Sequence, residues 1–149
     1  MPIPLRGRKL RSLKLARFTA WRFPKTTFCL TGMPRFPSNL VDRWLLSRLN
    51  TLIREVDQGL RFFDMFAAGR KLNDFVDDLS NWYVRRNRQR YWQPGMEADK
   101  INAYMTLFTA LNTVIHLAAP FVPFITEAIY QNLVGSVCPD AAPSIHLNP

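Results

Sequence analysis

The sequence predicts an all-α fold: an antiparallel bundle of about four helices behind a poorly structured basic N-terminal segment. Three observations lead there. From Leu40 onward, apolar residues recur at three- and four-residue steps, the period of a helix buried along one face. The periodic stretches are separated by short breaks at Gly59–Asp64, Pro94–Gly95 and Pro120–Pro123. Connections that short make consecutive helices antiparallel neighbours. Ahead of Ser38 no period is sustained, and prolines at 2, 4, 24, 34 and 37 interrupt the chain. One short helix, around Leu10–Phe18, is the most that segment suggests.

The first helix is expected to start at Ser38 or Asn39, both good N-caps, with Asp42 completing a box-like start. Val41, Leu45, Leu49, Leu52 and Val56 form its stripe, and Gly59 reads as its stop. Asp64 is placed to cap a second helix, with Ala68, Leu72, Phe75, Val76, Leu79 and Tyr83 on one side. Continued to Trp92, before Pro94-Gly95, this helix would be about 40 Å long. A third helix over Glu97–Ala118 should bury Ile101, Tyr104, Met105, Phe108, Leu111 and Ile115. Pro120 closes it and Pro123 opens a shorter fourth, with Phe124, Ile125, Ala128, Ile129 and Leu133 inward.

A chain of 149 residues that is 48% apolar and 21% charged has a globular composition and enough length for one core. It has no apolar run long enough to span a membrane. The net charge of +9 is unevenly placed. Residues 1–38 hold nine of the 20 Lys and Arg and no acid; the other 11 are balanced by all 11 acidic residues. Residues 39–149 are therefore neutral overall. The basic segment fits an organelle transit peptide, a genuine basic arm, or a shifted frame or mis-joined gene model. Cys29 and Cys138 lack CxxC spacing and read as reduced thiols.

The residues offer no catalytic constellation. Glycines are isolated, so no phosphate-cradling loop exists. His116 and His146 have no partner at metal-ligand spacing, and His116, at the edge of an apolar stripe, reads as a packed structural histidine. Asp77 and Asp78 are helix neighbours that diverge onto a solvated face.

NWYVRRNRQRYW, residues 81–92, is the informative stretch: four arginines within six positions, flanked by Trp82, Tyr83, Tyr91 and Trp92. Projected at about 100° per residue, Arg86 and Arg90 continue the line of Leu72, Leu79 and Tyr83, whereas Arg85, Arg88 and Trp92 face outward with Asn81. Arginines capping a bundle end, with Arg86 paired to Glu127 or an Asp, account for the first two. The outward set points to nucleic acid, because guanidinium forks bind phosphate and exposed indoles stack on unpaired bases.

LVDRWLLSRLNTLIREV, FAAGRKLNDFVDDLSNWYVRRNRQRYW and LAAPFVPFITEAIYQNL, in this order, resemble the anticodon-binding helical domain of isoleucyl-tRNA synthetases. The resemblance runs from about Leu40 to Leu147, and DFVDDLSNWYVRRNR is its most specific part. Valyl and leucyl relatives share a looser Trp-Tyr element and the Ala-Pro-Phe-x-Pro-Phe-x-x-Glu start of the last helix. GLRFFDMF departs from the usual Leu-Asp-Asn-Tyr-Asp form at Arg61-Phe62. The resemblance implies a domain that binds the anticodon stem-loop of isoleucine tRNA while ATP-dependent chemistry happens elsewhere. Neither the HIGH nor the KMSKS motif of the catalytic domain stands in this chain, and the editing domain has no counterpart. An excised piece of a synthetase is therefore expected, inactive alone, with no cofactor of its own and ATP bound only by the parent enzyme. Its expected partners are tRNA and the rest of the synthetase, not a membrane. The compartment is the cytoplasm, or the mitochondrion if residues 1–38 are a transit peptide. Expected RNA contacts are Arg85, Arg88, Trp92 and Asn81, supported by Trp82, Arg86, Arg90 and Glu127, with no catalytic or metal-binding residue. A non-functional truncated product and a helical protein-interaction module are the alternatives.

Overall fold

A computed structural model describes residues 39–138 and 141–147, which are helical apart from short connections. The basic segment, its expected short helix and Cys29 lie outside the described residues. Helix α1 (Leu40–Arg61) starts on Asn39, whose Oδ1 accepts the Val41 N–H at 2.9 Å. That bond satisfies one of the first-turn donors a helix leaves unpaired. Asp42 does not complete a capping box; it is fully buried and turned inward. Leu45, Leu49, Leu52 and Val56 are buried as their spacing predicts.

Gly59 does not stop α1. The chain that follows packs closely on the helix there: a Cβ on Gly59 would lie 3.0 Å from the Ala68 Cβ and 3.2 Å from the Asp64 carbonyl oxygen. The stop comes later. Phe63 turns left-handed at φ 59°, its N–H donates to the Leu60 carbonyl at 3.3 Å, and the Asp64 N–H donates to Gly59 at 2.8 Å. These paired bonds form a Schellman cap. Asp64 then caps α2 (Met65–Asp77) by accepting the Ala67 N–H at 3.0 Å. Ala68, Leu72 and Phe75 of α2 are buried, but Val76 is exposed.

The straight second helix expected as far as Trp92 is not what forms. A π-helix over Asp78–Val84 follows α2, the chain turns at Asn87, and a separate helix α3 (Arg88–Trp92) completes the segment. A π turn bonds i to i+5 and so holds one residue more than an α turn. Side chains after it are delayed by about one position against the straight projection as far as the turn at Asn87, after which Arg90 again lies inward. Leu79, Tyr83 and Asn87, four residues apart, are buried, and Arg86 is exposed where the projection placed it inward.

Helix α4 (Ala98–Ala118) closes the main core with a different face from the one expected. Ala103, Thr106, Ala110, Thr113, Val114, Ile115 and Leu117 are buried; Ile101 and Tyr104 are exposed, and Met105, Phe108 and Leu111 are half-buried. Much of the helix circumference is apolar, so hydrophobicity alone cannot choose its inner face. Small side chains win because they allow α4 close to α1 and α2. The Thr113 hydroxyl donates to the Thr109 carbonyl at 2.9 Å, so a threonine is buried without an unsatisfied donor.

Helix α5 (Pro123–Tyr130) opens on proline as expected, but Thr126 and Tyr130 are its buried residues. Phe124, Ile125, Ala128 and Ile129 are exposed, and Leu133 is half-buried. The α5 helix packs on α4 and on the segment after it, so only a narrow stripe is covered. A second, smaller core joins Ile115, Tyr130 and Ile145 to Val134, which lies in a π turn over Gln131–Gly135. His116 packs edge-on against Tyr130 with ring centroids 6.0 Å apart. Its Nδ1 lies 2.6 Å from the Asn112 carbonyl oxygen.

Candidate nucleic-acid interface

The arginines of residues 85–90 separate into committed and uncommitted groups. Arg90 turns inward from α3, with its side chain only 14% exposed. Its Nε and Nη2 donate to the two Asp99 carboxylate oxygens at 2.7 Å each, and its Nη1 and Nη2 donate to the two Asp42 oxygens at 3.0 Å each. Nη1 also donates to Asn87 Oδ1 at 2.8 Å, and Nη2 to the Asp99 carbonyl at 3.1 Å. Two carboxylates thus grip one guanidinium from both edges, the geometry that its planar fork favours.

The Tyr83 hydroxyl donates to Asp42 Oδ1 at 2.7 Å, and Asn87 Nδ2 donates to the Tyr83 carbonyl at 2.9 Å. Burial, and then the bond to Asp42, push the Tyr83 phenol far above its ordinary range. Burial works against the charge on Arg90, but its hydrogen bonds to Asp42 and Asp99 outweigh this and raise its pKa.

The other arginines are exposed. Arg88 stacks on Trp92, its guanidinium carbon 4.4 Å from the ring centroid, and Trp92 itself is 72% exposed. Arg86 lies 5.5 Å from the Trp82 ring centroid, and Trp82 rests on Trp44 with centroids 4.1 Å apart. Arg85 is exposed, and among the described residues no hydrogen bond or ion pair holds it. The arrangement presents one uncommitted guanidinium and two arginine-on-indole stacks. Such groups grip phosphate and offer flat faces to bases.

Two expected members of the site are placed differently. Asn81 donates to Asp77 Oδ1 at 2.7 Å, so its amide is already engaged, and no contact joins it to Arg88 or Trp92. Glu127 is not paired with Arg86. It accepts from Gln131 Nε2 at 2.7 Å, the Ser144 hydroxyl at 2.8 Å and the Ile145 N–H at 3.0 Å, which tie the C-terminal segment to α5. The one-residue delay that turns Arg86 outward removes the geometry on which that pairing depended.

Asp42, Trp44 and Asp99 complete the site, and the sequence did not place them there; Asn87, inside the arginine-aromatic stretch, is buried and holds Tyr83 and Arg90. Asp42 left a signal, because it stands three residues before Leu45 on the buried stripe, where a lone carboxylate needs partners. An open hollow of about 470 Å³ beside Met65–Asp74 includes none of these residues. Among the described residues no helix is long and apolar enough to cross a membrane.

A helical bundle that ends in paired guanidinium and indole groups suits recognition of a looped RNA. The model of the anticodon-binding domain of tRNA ligase matches residues 42–149, and the chain belongs to that family. Its similarity is to the isoleucine branch. It is 54% identical over 109 residues to isoleucine–tRNA ligase of Clostridium novyi, covering 73% of this chain and 10% of that protein. Isoleucine–tRNA ligase of Dehalococcoides mccartyi is 53% identical over 107 residues, covering 72% of this chain and 11% of that protein. That of Bacteroides fragilis is 49% identical over 108 residues, again 72% of the chain and 10% of the relative. The chain therefore spans about a tenth of the length of the relatives it matches.

Proposed function

We propose that this domain binds the anticodon stem-loop of isoleucine tRNA, contributing to aminoacylation by an isoleucine–tRNA ligase whose ATP-dependent chemistry lies outside these residues. The observation that carries this is the stacked Arg88–Trp92 pair, exposed together with the uncommitted Arg85 at the end of a bundle that belongs to an anticodon-binding family. Arg85 and Arg88 serve as phosphate contacts and Trp92 as a stacking surface. Asn81 is the candidate edge-reading group, through the carbonyl oxygen left over once its amide is on Asp77. Trp82 and Arg86 support the face. An aqueous compartment with access to tRNA, the cytoplasm or the mitochondrial matrix, fits this role.

Titrating tRNA against salt tests the assignment. Arg85→Ala and Arg88→Ala should each weaken binding by about 1–2 kcal/mol and flatten the salt dependence. Trp92→Ala should cost about 1–3 kcal/mol with little change in salt dependence. Binding that ignores all three substitutions would place the RNA elsewhere. Guanidinium and indole groups grip any strand, so a tRNA with a swapped anticodon should compete within about tenfold.

One observation favours a protein-interaction module as the second reading. Phe62, Phe63, Phe66 and Phe124 are each more than 70% exposed. Capture of a full-length synthetase together with indifference to tRNA would support it.

A further inference from the structure

We infer that Arg90, held between Asp42 and Asp99, is the positioning residue of the RNA-binding face and does not touch RNA itself. The inference rests on the assignment of that face to Arg85, Arg88 and Trp92. Helix α3 has five residues, too few to be stable alone, so its direction depends on what its side chains hold. It is not a rigid continuation of α2, because a π-helix and a turn at Asn87 intervene.

Tyr91 packs on the main core and on Tyr104, with ring centroids 5.1 Å apart, and Arg90 supplies the directional polar anchor. Its five N–H groups make six hydrogen bonds to Asp42, Asn87 and Asp99, which leaves none for a phosphate. Asp42 belongs to the first turn of α1 and Asp99 to the first turn of α4, so one guanidinium fixes α3 against two long helices. Arg88 and Trp92 lie two residues to either side of Arg90. On a helix that offset is about 200°, so holding Arg90 inward aims the Arg88–Trp92 stack outward. The buried Asp42 carboxylate and the Tyr83 hydroxyl are thereby accounted for as well.

Two variants of the full chain decide the matter, each titrated with an unmodified isoleucine tRNA transcript at several salt concentrations. Measurements are made where circular dichroism shows the chain folded. Arg90→Lys keeps the charge and loses the double fork. Affinity should fall about fivefold or more, because the Arg88–Trp92 stack is no longer aimed at the RNA. An affinity within about twofold of the parent would mean that a point charge serves as well as the fork, as it would at a phosphate contact, and would overturn the proposal.

Asp99→Ala supplies a sign test and decides the case if Arg90→Lys does not fold. Removing an acid near RNA raises affinity if charge alone matters, whereas loss of the clasp lowers it. An unchanged or increased affinity would overturn the positioning role. If Arg85→Ala, Arg88→Ala and Trp92→Ala also leave binding unchanged, the face itself has been misassigned, which is a separate failure.

Discussion

Phe63 occupies a left-handed conformation, φ 59°, with its ring 90% exposed, so no packing offsets the strain at this position. For a residue with a side chain that conformation costs about 1–2 kcal/mol. Asparagine tolerates it better and keeps both backbone bonds of the cap. Phe63→Asn should therefore raise the unfolding free energy by about 1 kcal/mol in urea titrations. A loss of stability would show that the ring packs on something. Asp42 shows where single residues stop being legible. Its place on the buried stripe marks it as unusual, but its partners Tyr83 and Arg90 stand 41 and 48 residues away. Nothing local identifies them. The Arg86–Glu127 pairing was misjudged for the same reason, since it required the phase of a helix whose geometry changes before Arg86.

Between Asp78 and Val84 the chain adopts a π-helix, which sets which arginines face outward. Ser80 lies within it and is exposed. Deleting Ser80 removes one residue, so the segment can close as ordinary α-helix with Tyr83 and Asn87 still inward. The deletion should cost less than about 2 kcal/mol and preserve helical circular dichroism. Loss of the thermal transition would show that the wide turn is required in itself.

A second element depends on pH. The Gln131 amide, the Ser144 hydroxyl and the Ile145 N–H hold the Glu127 carboxylate below its ordinary pKa of 4.5, against a weaker effect of burial. A depressed carboxylate pKa stabilises the fold above the unfolded value and ceases to do so as pH falls through the folded one. The protection factor of the Ile145 amide, its exchange corrected for the intrinsic pH dependence, should fall below about pH 4.5, and Glu127→Gln should remove most of that dependence. Protection that stays level down to about pH 3 would argue against this attachment.

For the whole molecule, mild-acid sensitivity enters beside the smaller core, at His116. Burial holds the His116 pKa below its ordinary 6.5, opposed by the backbone bond to Asn112, so the fold prefers the neutral ring. The unfolded chain then binds more protons at mildly acidic pH, and stability is complete above 6.5 and declines below it. Thermal midpoints should drop between pH 7 and pH 5, and His116→Gln should flatten that slope. An unchanged slope in the variant would assign the acid sensitivity to another group.

Helix period, caps and prolines are properties of neighbouring residues, so the sequence alone determined an all-α bundle, the Asn39 and Asp64 starts, the inner stripe of α1 and the arginine-aromatic segment as the place to look. The tertiary structure decided which face of a widely apolar helix is inner. On α4 and α5 close approach favoured Ala103, Ala110 and Thr126 over Ile101, Phe124 and Ile125. It also decided how the candidate site is aimed. Asp42 on one helix and Asp99 on another meet at a single arginine, and no pattern of neighbouring residues reveals partners that far apart in the chain.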